Sequence, residues 1–475
     1  MDLDPVLLAR IQFAFTIAYH IIFPSFTIGL AAWIASLEGL WLATGRDHYH
    51  RLARFWTKIF AVSFAMGVTS GIVMSYEFGT NWSRYSRILG PVVGPLMGYE
   101  VLVAFFLEAT FLGIMLFGWN RVPRGLHFLA SLAVAVGTTM SAFWILSANS
   151  WMQTPAGYEM RGGIAHPVDW ISIIFNPSFP YRLAHMVVAS YLTVSFIVAA
   201  VGAGYWLAGR FPDQARTMLR MGLGLAIVLA PLQLVIGDFH GLNTLAHQPT
   251  KVAAIEGHWE DVKPVPLVLF GVPDEKAERN DFEVAVPYLG SLILTHSWTG
   301  TIPPLKGVAP ADRPPVWPVF YAFRLMVGIG LLFVLLALIG AVQWLRGRLF
   351  DSWRYLRVLT WCWPLGFVAI LSGWTVTEVG RQPWLATGVL RTVDAASPVP
   401  AANIAASLAL FVLVYGLVFS AGSYYVNRLI RNGPQDLDAG RPDAGVPLRP
   451  ISAAHDVGRR AVKERGPALQ GGRGP

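Results

Sequence analysis

The sequence predicts an all-α polytopic membrane protein, a bundle of about nine transmembrane helices with its N-terminus outside and its C-terminus in the cytoplasm. Two observations carry that class: the 475 residues are 54% hydrophobic and only 13% charged, and apolar runs long enough to cross a bilayer recur along most of the chain. A third, the distribution of basic residues, sets the orientation. Length alone would allow two or three soluble domains, but this composition describes one membrane bundle.

Taken in order, the runs fall at about 14–43, 54–78, 94–119, 125–150, 181–208, 217–237, 318–345, 355–376 and 402–430, each near the roughly 20 residues a helix needs to cross. The N-terminal Met1-Asp2-Leu3-Asp4-Pro5 is acidic and has no basic n-region, so the first run is expected to stay in the mature chain. Basic residues follow the odd-numbered runs: Arg46, Arg51, Arg54 and Lys58, then Arg121 and Arg124, Arg210, Arg216 and Arg220, and Arg346, Arg348, Arg354 and Arg357. The positive-inside rule puts those loops in the cytoplasm. The net charge of +8 therefore records topology and does not call for nucleic acid. Four segments result: helices one to six over 1–237, an external binding loop over 238–317, helices seven to nine over 318–430, and a Pro-, Gly- and Arg-rich tail over 431–475 that reads as disordered. The loop exceeds the length of an ordinary connection, and Lys251 to Glu260 reads as a short helix within it.

One cysteine, Cys362, excludes a disulfide framework and a thiolate metal cluster within the chain. A redox metal must then be held by His, Met or carboxylate. Ionisable residues at membrane depth are costly and are functional candidates by default. His20 lies in the first run, where a lone histidine is as often a structural hydrogen-bonder as a ligand. His185 opens the fifth run and Met326 lies in the seventh. A membrane methionine is usually packing, but His and Met together form a known axial pair for a low-spin haem. Glu100 and Glu108 lie about 12 Å apart along the third run with no basic residue between them, which suits a proton route. Glu378 and Arg381 close the eighth run, where the carboxylate suits a high-spin iron and the guanidinium either snorkels to the interface or balances a negative charge. By the topology, His20, Glu100, His185, Met326 and Glu378 all fall toward one side of the membrane.

Several motifs in order then resemble subunit I of the bacterial cytochrome bd quinol oxidases: Arg10-Ile11-Gln12-Phe13-Ala14-Phe15-Thr16 through His20, Phe105-Phe106-Leu107-Glu108, Trp151-Met152-Gln153, Phe323-Arg324-Leu325-Met326, and Gly373-Trp374 through Glu378 to Gly380-Arg381-Gln382-Pro383-Trp384. The match runs to about residue 430. The stretch Gly237 to Pro249 is most similar to the branch called cyanide-insensitive quinol oxidases, and the loop is of the short type.

The resemblance implies a respiratory terminal oxidase of the bacterial cytoplasmic membrane that oxidises quinol at the outer face, reduces oxygen to water, and generates a proton motive force by charge separation without pumping. It implies low-spin haem b on His185 and Met326, and a high-spin pair on His20 and Glu378 made of haem b with haem d, or a further haem b in its place. Which of the two sites holds which haem stays open. Trp374 matches an aromatic between haems, and Arg324 and Arg381 fall in cofactor-binding motifs. Glu100 matches a carboxylate beside the oxygen-reactive pair, Glu108 and Ser141 a proton entry route, and Lys251 and Glu256 quinol oxidation. The implied partners are a second subunit and a small single-span subunit in the lipid bilayer. A haem-bearing anchor that passes electrons onward would have no use for the Glu378 site, and a transporter is disfavoured by the lack of a discernible repeat.

Overall fold

The computed structural model describes residues 4–434; the tail expected to be disordered falls almost wholly outside them. The long helices are α1 (Pro5–Thr44), α2 (Asp47–Thr80), α3 (Ser83–Tyr99), α4 (Phe106–Phe117), α5 (Arg124–Gln153), α7 (Phe179–Leu207), α8 (Pro212–His247), α11 (Val316–Leu345) and α15 (Ala401–Asn432). Between α3 and α4 the residues Glu100–Phe105 form a π-helical segment, so these pieces make one continuous element. Among the described residues eight elements are long and apolar enough to cross a membrane, and the chain is an integral membrane protein.

The expected eighth span is the one that differs. Instead of a single helix over 355–376, α12 (Trp353–Leu359) is followed by a turn and then α13 (Leu365–Val379), only 15 residues long. Pro364 has no amide hydrogen to donate and disfavours a helical residue before it, so the run Trp361-Cys362-Trp363 is diverted into the turn. The break leaves α13 about 22 Å long and ends it at Glu378 and Val379.

Local chemistry explains the other ends. The Asp4 carboxylate caps α1 by accepting from the Val6 amide at 2.9 Å. α8 runs on to His247, about ten residues beyond the apolar run that announced it, because Asp238, His240, Asn243 and Thr244 lower hydropathy without stopping a helix; Pro249 then opens α9 (Pro249–Glu256). α9 ends at Gly257, whose φ of 63° is the left-handed conformation glycine adopts without a Cβ clash. The rest of the loop holds the antiparallel hairpin β3 (Leu267–Asp274) and β4 (Arg279–Val286), then α10 (Leu289–Thr295). Smaller pieces are the hairpin β1 (Tyr158–Arg161) and β2 (Ile164–Pro167), α6 (Trp170–Ile174), β5 (Trp384–Ala386), β6 (Leu390–Arg391) and α14 (Thr392–Ala395).

Small residues let the central helices approach closely, as in other membrane bundles. A Cβ at Gly222 would lie 2.8 Å from the Ser195 carbonyl, and one at Gly202 would lie 2.9 Å from Met218 Cβ, so α7 and α8 touch along their backbones. α7 is the most enclosed span, with 67% of its apolar window buried, which makes it the post around which α1, α5, α8 and α13 stand.

Candidate haem-binding and quinol-binding site

α13 presents Glu378 toward α5. Its Oε1 accepts from Asn149 Nδ2 at 2.9 Å, and Oε2 pairs with Arg381, one turn further on. Two more basic residues, Arg182 on α7 and Lys251 on α9, are buried nearby and feel the charges of Glu378 and Arg381. Three basic side chains thus lie within electrostatic reach of one carboxylate, and Arg381 pairs with it directly. Nε and Nη1 of Arg381 and Nε of Arg182 are buried without a hydrogen-bond partner. Unpaired buried donors of this kind are costly, and they suit further anionic groups such as haem propionates.

The other three ligand candidates sit singly on different helices. His20 on α1 uses Nδ1 to meet Ser70 Oγ at 2.9 Å, which leaves Nε2 as the nitrogen for a metal. His185 on α7 has no partner on its buried Nδ1 and packs edge-on against His240, with ring centroids 5.4 Å apart. Met326 on α11 lies against Gly373 of α13, where a Cβ would come within 2.9 Å of its sulfur. Among the described residues no three His, Cys, Asp or Glu side chains converge on one point. Isolated ligands of this sort fit haem, whose porphyrin supplies the four other nitrogens, and do not fit a bare ion. Trp374 packs against the cluster of Ile28, Ala142, Leu146 and Phe179, at the junction of α1, α5, α7 and α13.

The remaining sequence candidates divide into two groups. In the first, Ser141 Oγ on α5 donates to Glu100 Oε1 at 2.8 Å. Glu108, one helical segment on, is buried with Oε1 unpartnered. Gly137 makes room for it, since a Cβ there would lie 2.8 Å from Glu108 Cγ. Glu100 opens the π-helical segment, which inserts an extra residue into the helical turn.

The second group is in the loop. Glu256 is buried, 3.7 Å from Arg324 Nη2, and burial pushes its pKa up to about 7 against the opposing charge of Arg324. Arg324 is itself held by the carbonyls of Ile255, Phe320 and Val268. Lys251 lies elsewhere: its Nζ donates to Gln153 Oε1 at 2.6 Å, Gln248 Oε1 at 3.0 Å and the Thr377 carbonyl at 3.1 Å. Burial, reinforced by Arg182 and Arg381, holds its pKa well below the usual lysine range. Both residues are expected to serve quinol oxidation; Lys251 lies on the Glu378 side of α9 and Glu256 on the Arg324 side.

Several participants were not singled out from sequence. Arg182 and Asn149 carry the Glu378 surroundings, and Gln153 and Gln248 hold Lys251. A buried pair, Glu38 and His127 at 2.8 Å with Ser131 on the second carboxylate oxygen at 2.7 Å, ties α1 to α5. The rule that found Glu100, an ionisable residue inside an apolar run, would also have found Glu38, Glu77 and His127.

Helices of this length, with candidate haem ligands carried singly on separate helices, define an integral membrane protein whose donors suit haem. The chain belongs to the cytochrome bd terminal oxidase subunit I family, whose model matches residues 8–434. It is 33% identical to the cytochrome bd-II ubiquinol oxidase subunit 1 of Escherichia coli strain K12, over 92% of this chain and 99% of that one. To the cytochrome bd ubiquinol oxidase subunit 1 of Bacillus subtilis strain 168 it is 35% identical, over 88% of this chain and 91% of that one. The bd oxidase structure from Geobacillus thermodenitrificans superposes with a TM-score of 0.84 at 31% identity, covering 91% of this chain and all of that one. The chain is therefore a subunit of a respiratory terminal oxidase, in a family whose members bind haem, use quinol and pair with a second subunit.

Proposed function

We propose that this subunit oxidises quinol at the outer face of the bacterial cytoplasmic membrane and supplies the reduction of oxygen to water within the bilayer. Two quinols give two quinones, four electrons and four protons; one oxygen takes four electrons and four protons to give two waters. Bound haems supply electron transfer and oxygen chemistry, with His185 and Met326 holding the low-spin haem b and His20 and Glu378 the high-spin pair, haem b with haem d or a second haem b. The placement of the acids carries this reading. Glu256 ends α9, between α8 and α11 and outside the spans, whereas Glu108 and Glu100 lie within one.

Glu256 takes a proton from the quinol hydroxyl, and Arg324, fixed by three carbonyls, stabilises the carboxylate that must receive it. Glu108, Ser141 and Glu100 pass protons from the inner side, so charge separates across the membrane without a pump. Arg381, Arg182 and Lys251 hold negative charge at the Glu378 site, and Trp374 fills the space between cofactors. A second subunit and a small single-span subunit complete the complex.

The test is the purified complex in lipid. Quinol-dependent oxygen uptake at two quinols per oxygen, with a pyridine haemochrome and a reduced spectrum that show three haems, is the expected result. A colourless protein, or one that passes electrons to an acceptor but consumes no oxygen, overturns the reading.

A further inference from the structure

We propose that the outward face of the β3–β4 hairpin lies in the interfacial layer of the bilayer, as a lipid-facing flap on the rim of the bundle.

The hairpin runs alongside the outer end of α11, and three contacts set its depth. At the tip, Glu275 Oε1 accepts from the Val316 amide at 2.8 Å, on the first turn of α11. Midway, the Gly271 carbonyl accepts from Tyr321 Oη at 2.8 Å. Near the base, the Val268 carbonyl accepts from Arg324 Nε at 3.1 Å. From Val316 to Arg324 the helix descends about 12 Å. The 30 residues of α11 make it about 45 Å long, against a hydrocarbon core of about 30 Å. Set upright and centred, it projects by about 7 Å at each end, so the level of Arg324 is just inside the hydrocarbon edge. The hairpin thus descends from water at its tip to the edge of hydrocarbon at its base.

Its side chains follow that gradient. The tip carries Asp274, Glu275, Lys276, Glu278 and Arg279, with Glu278 paired to Arg313 at 2.6 Å. Below the tip, Val268 and Ala285 face inward into a cluster with Ala253, Trp259 and Phe320. The other face is apolar and open: Phe282 is 83% exposed, and Leu269, Phe270 and Val284 are each more than half exposed. Register shifts on either side of Phe270 let adjacent residues Leu269 and Phe270 both turn outward, which a regular strand forbids. A soluble loop has no reason to spend two irregularities on exposing apolar side chains. Exposed Trp298 and Trp317 lie just beyond the hairpin and at the start of α11, as in the aromatic belt of a membrane interface.

The occupant this argues for is lipid, because the exposed face is apolar only below the level of the charged tip. The inference needs α11 to cross the membrane and does not depend on the quinol assignment.

The experiment uses the assembled oxidase in liposomes, with nitroxide spin labels at Phe282→Cys, Val284→Cys, Lys276→Cys at the tip and Leu331→Cys on the exposed face of α11, and wild-type complex labelled in parallel. Collision with oxygen and with a water-soluble nickel chelate reads depth. Labels at 282 and 284 are expected to favour oxygen over the chelate well beyond 276, ranking between 276 and the mid-bilayer 331. Free collision of 282 and 284 with the chelate would make the hairpin a water-exposed flap, and collision with neither reagent would place protein over it. Either result overturns the proposal.

Discussion

Replacing Glu256 by glutamine tests whether a buried loop carboxylate is the group that takes the quinol proton. The side chain is buried, faces Arg324 at 3.7 Å and has its pKa raised to about 7. A carboxyl accepts a proton only when ionised, so activity should rise as pH increases through that value. From pH 6 to pH 8 the ionised share of a group with a pKa near 7 goes from about one tenth to about nine tenths, and kcat/KM for quinol should rise roughly ninefold. The assay is quinol-dependent oxygen uptake by the complex between pH 5.5 and 9, beside uptake driven by an artificial donor that bypasses the loop. In Glu256→Gln the quinol rate should fall by about 10²-fold or more, as for loss of a general base, and its rise near pH 7 should vanish while the bypass rate persists. A variant that keeps the rise, or loses both rates equally, refutes the assignment.

Met326→Leu should turn the low-spin haem spectrum high-spin, and Gly373→Ala should move it the same way, because the added methyl would sit 2.9 Å from the Met326 sulfur, inside the contact distance of about 3.5 Å; an unchanged reduced-minus-oxidised spectrum in both rejects that ligand. Glu378→Ala should lose one high-spin haem by pyridine haemochrome, whereas full haem content with full oxygen uptake would exclude Glu378 as a ligand. Removing His127 alone leaves the Glu38 carboxylate buried, so His127→Ala should destabilise the protein by about 3–5 kcal/mol, seen as a lower thermal unfolding midpoint. The double change Glu38→Met with His127→Leu should recover most of that loss.

The spans were legible because hydrocarbon demands about 20 apolar residues, and that demand is local. Where the local signal failed, a non-local or steric term decided. Pro364 broke the expected eighth span, and α8 outlasted its apolar run because its polar residues lower hydropathy without stopping a helix. The π-helical segment before Glu108 carries no composition signal, since one inserted residue changes the hydrogen-bond spacing and not the hydropathy. Single ligand candidates such as Glu378 stand out because a carboxylate in an apolar run is costly and rare. Arg182 does not: at the start of the fifth span it reads as an interfacial cation, and only packing shows it buried beside Lys251 and Arg381. The hairpin was missed for a related reason, because Leu269, Phe270, Phe282 and Val284 lie in short runs broken by Pro and charge.

The separation of Lys251 from Glu256 gives α9 a definite part. Five residues on an α-helix turn through about 500°, so the two side chains leave the eight-residue α9 on faces roughly 140° apart. One face donates to Gln153, Gln248 and the Thr377 carbonyl, within a turn of Glu378; the other puts Glu256 against Arg324, which also holds the base of the hairpin. A helix this short has little stability of its own, so these two sets of contacts fix where it lies. Lys251→Met should therefore disturb the Glu378 side, visible as a changed high-spin haem spectrum, while the rise of quinol oxidation near pH 7 stays. If the substitution instead removes that rise and leaves the spectrum alone, Lys251 acts with Glu256 after all, and the division of α9 into two faces is wrong.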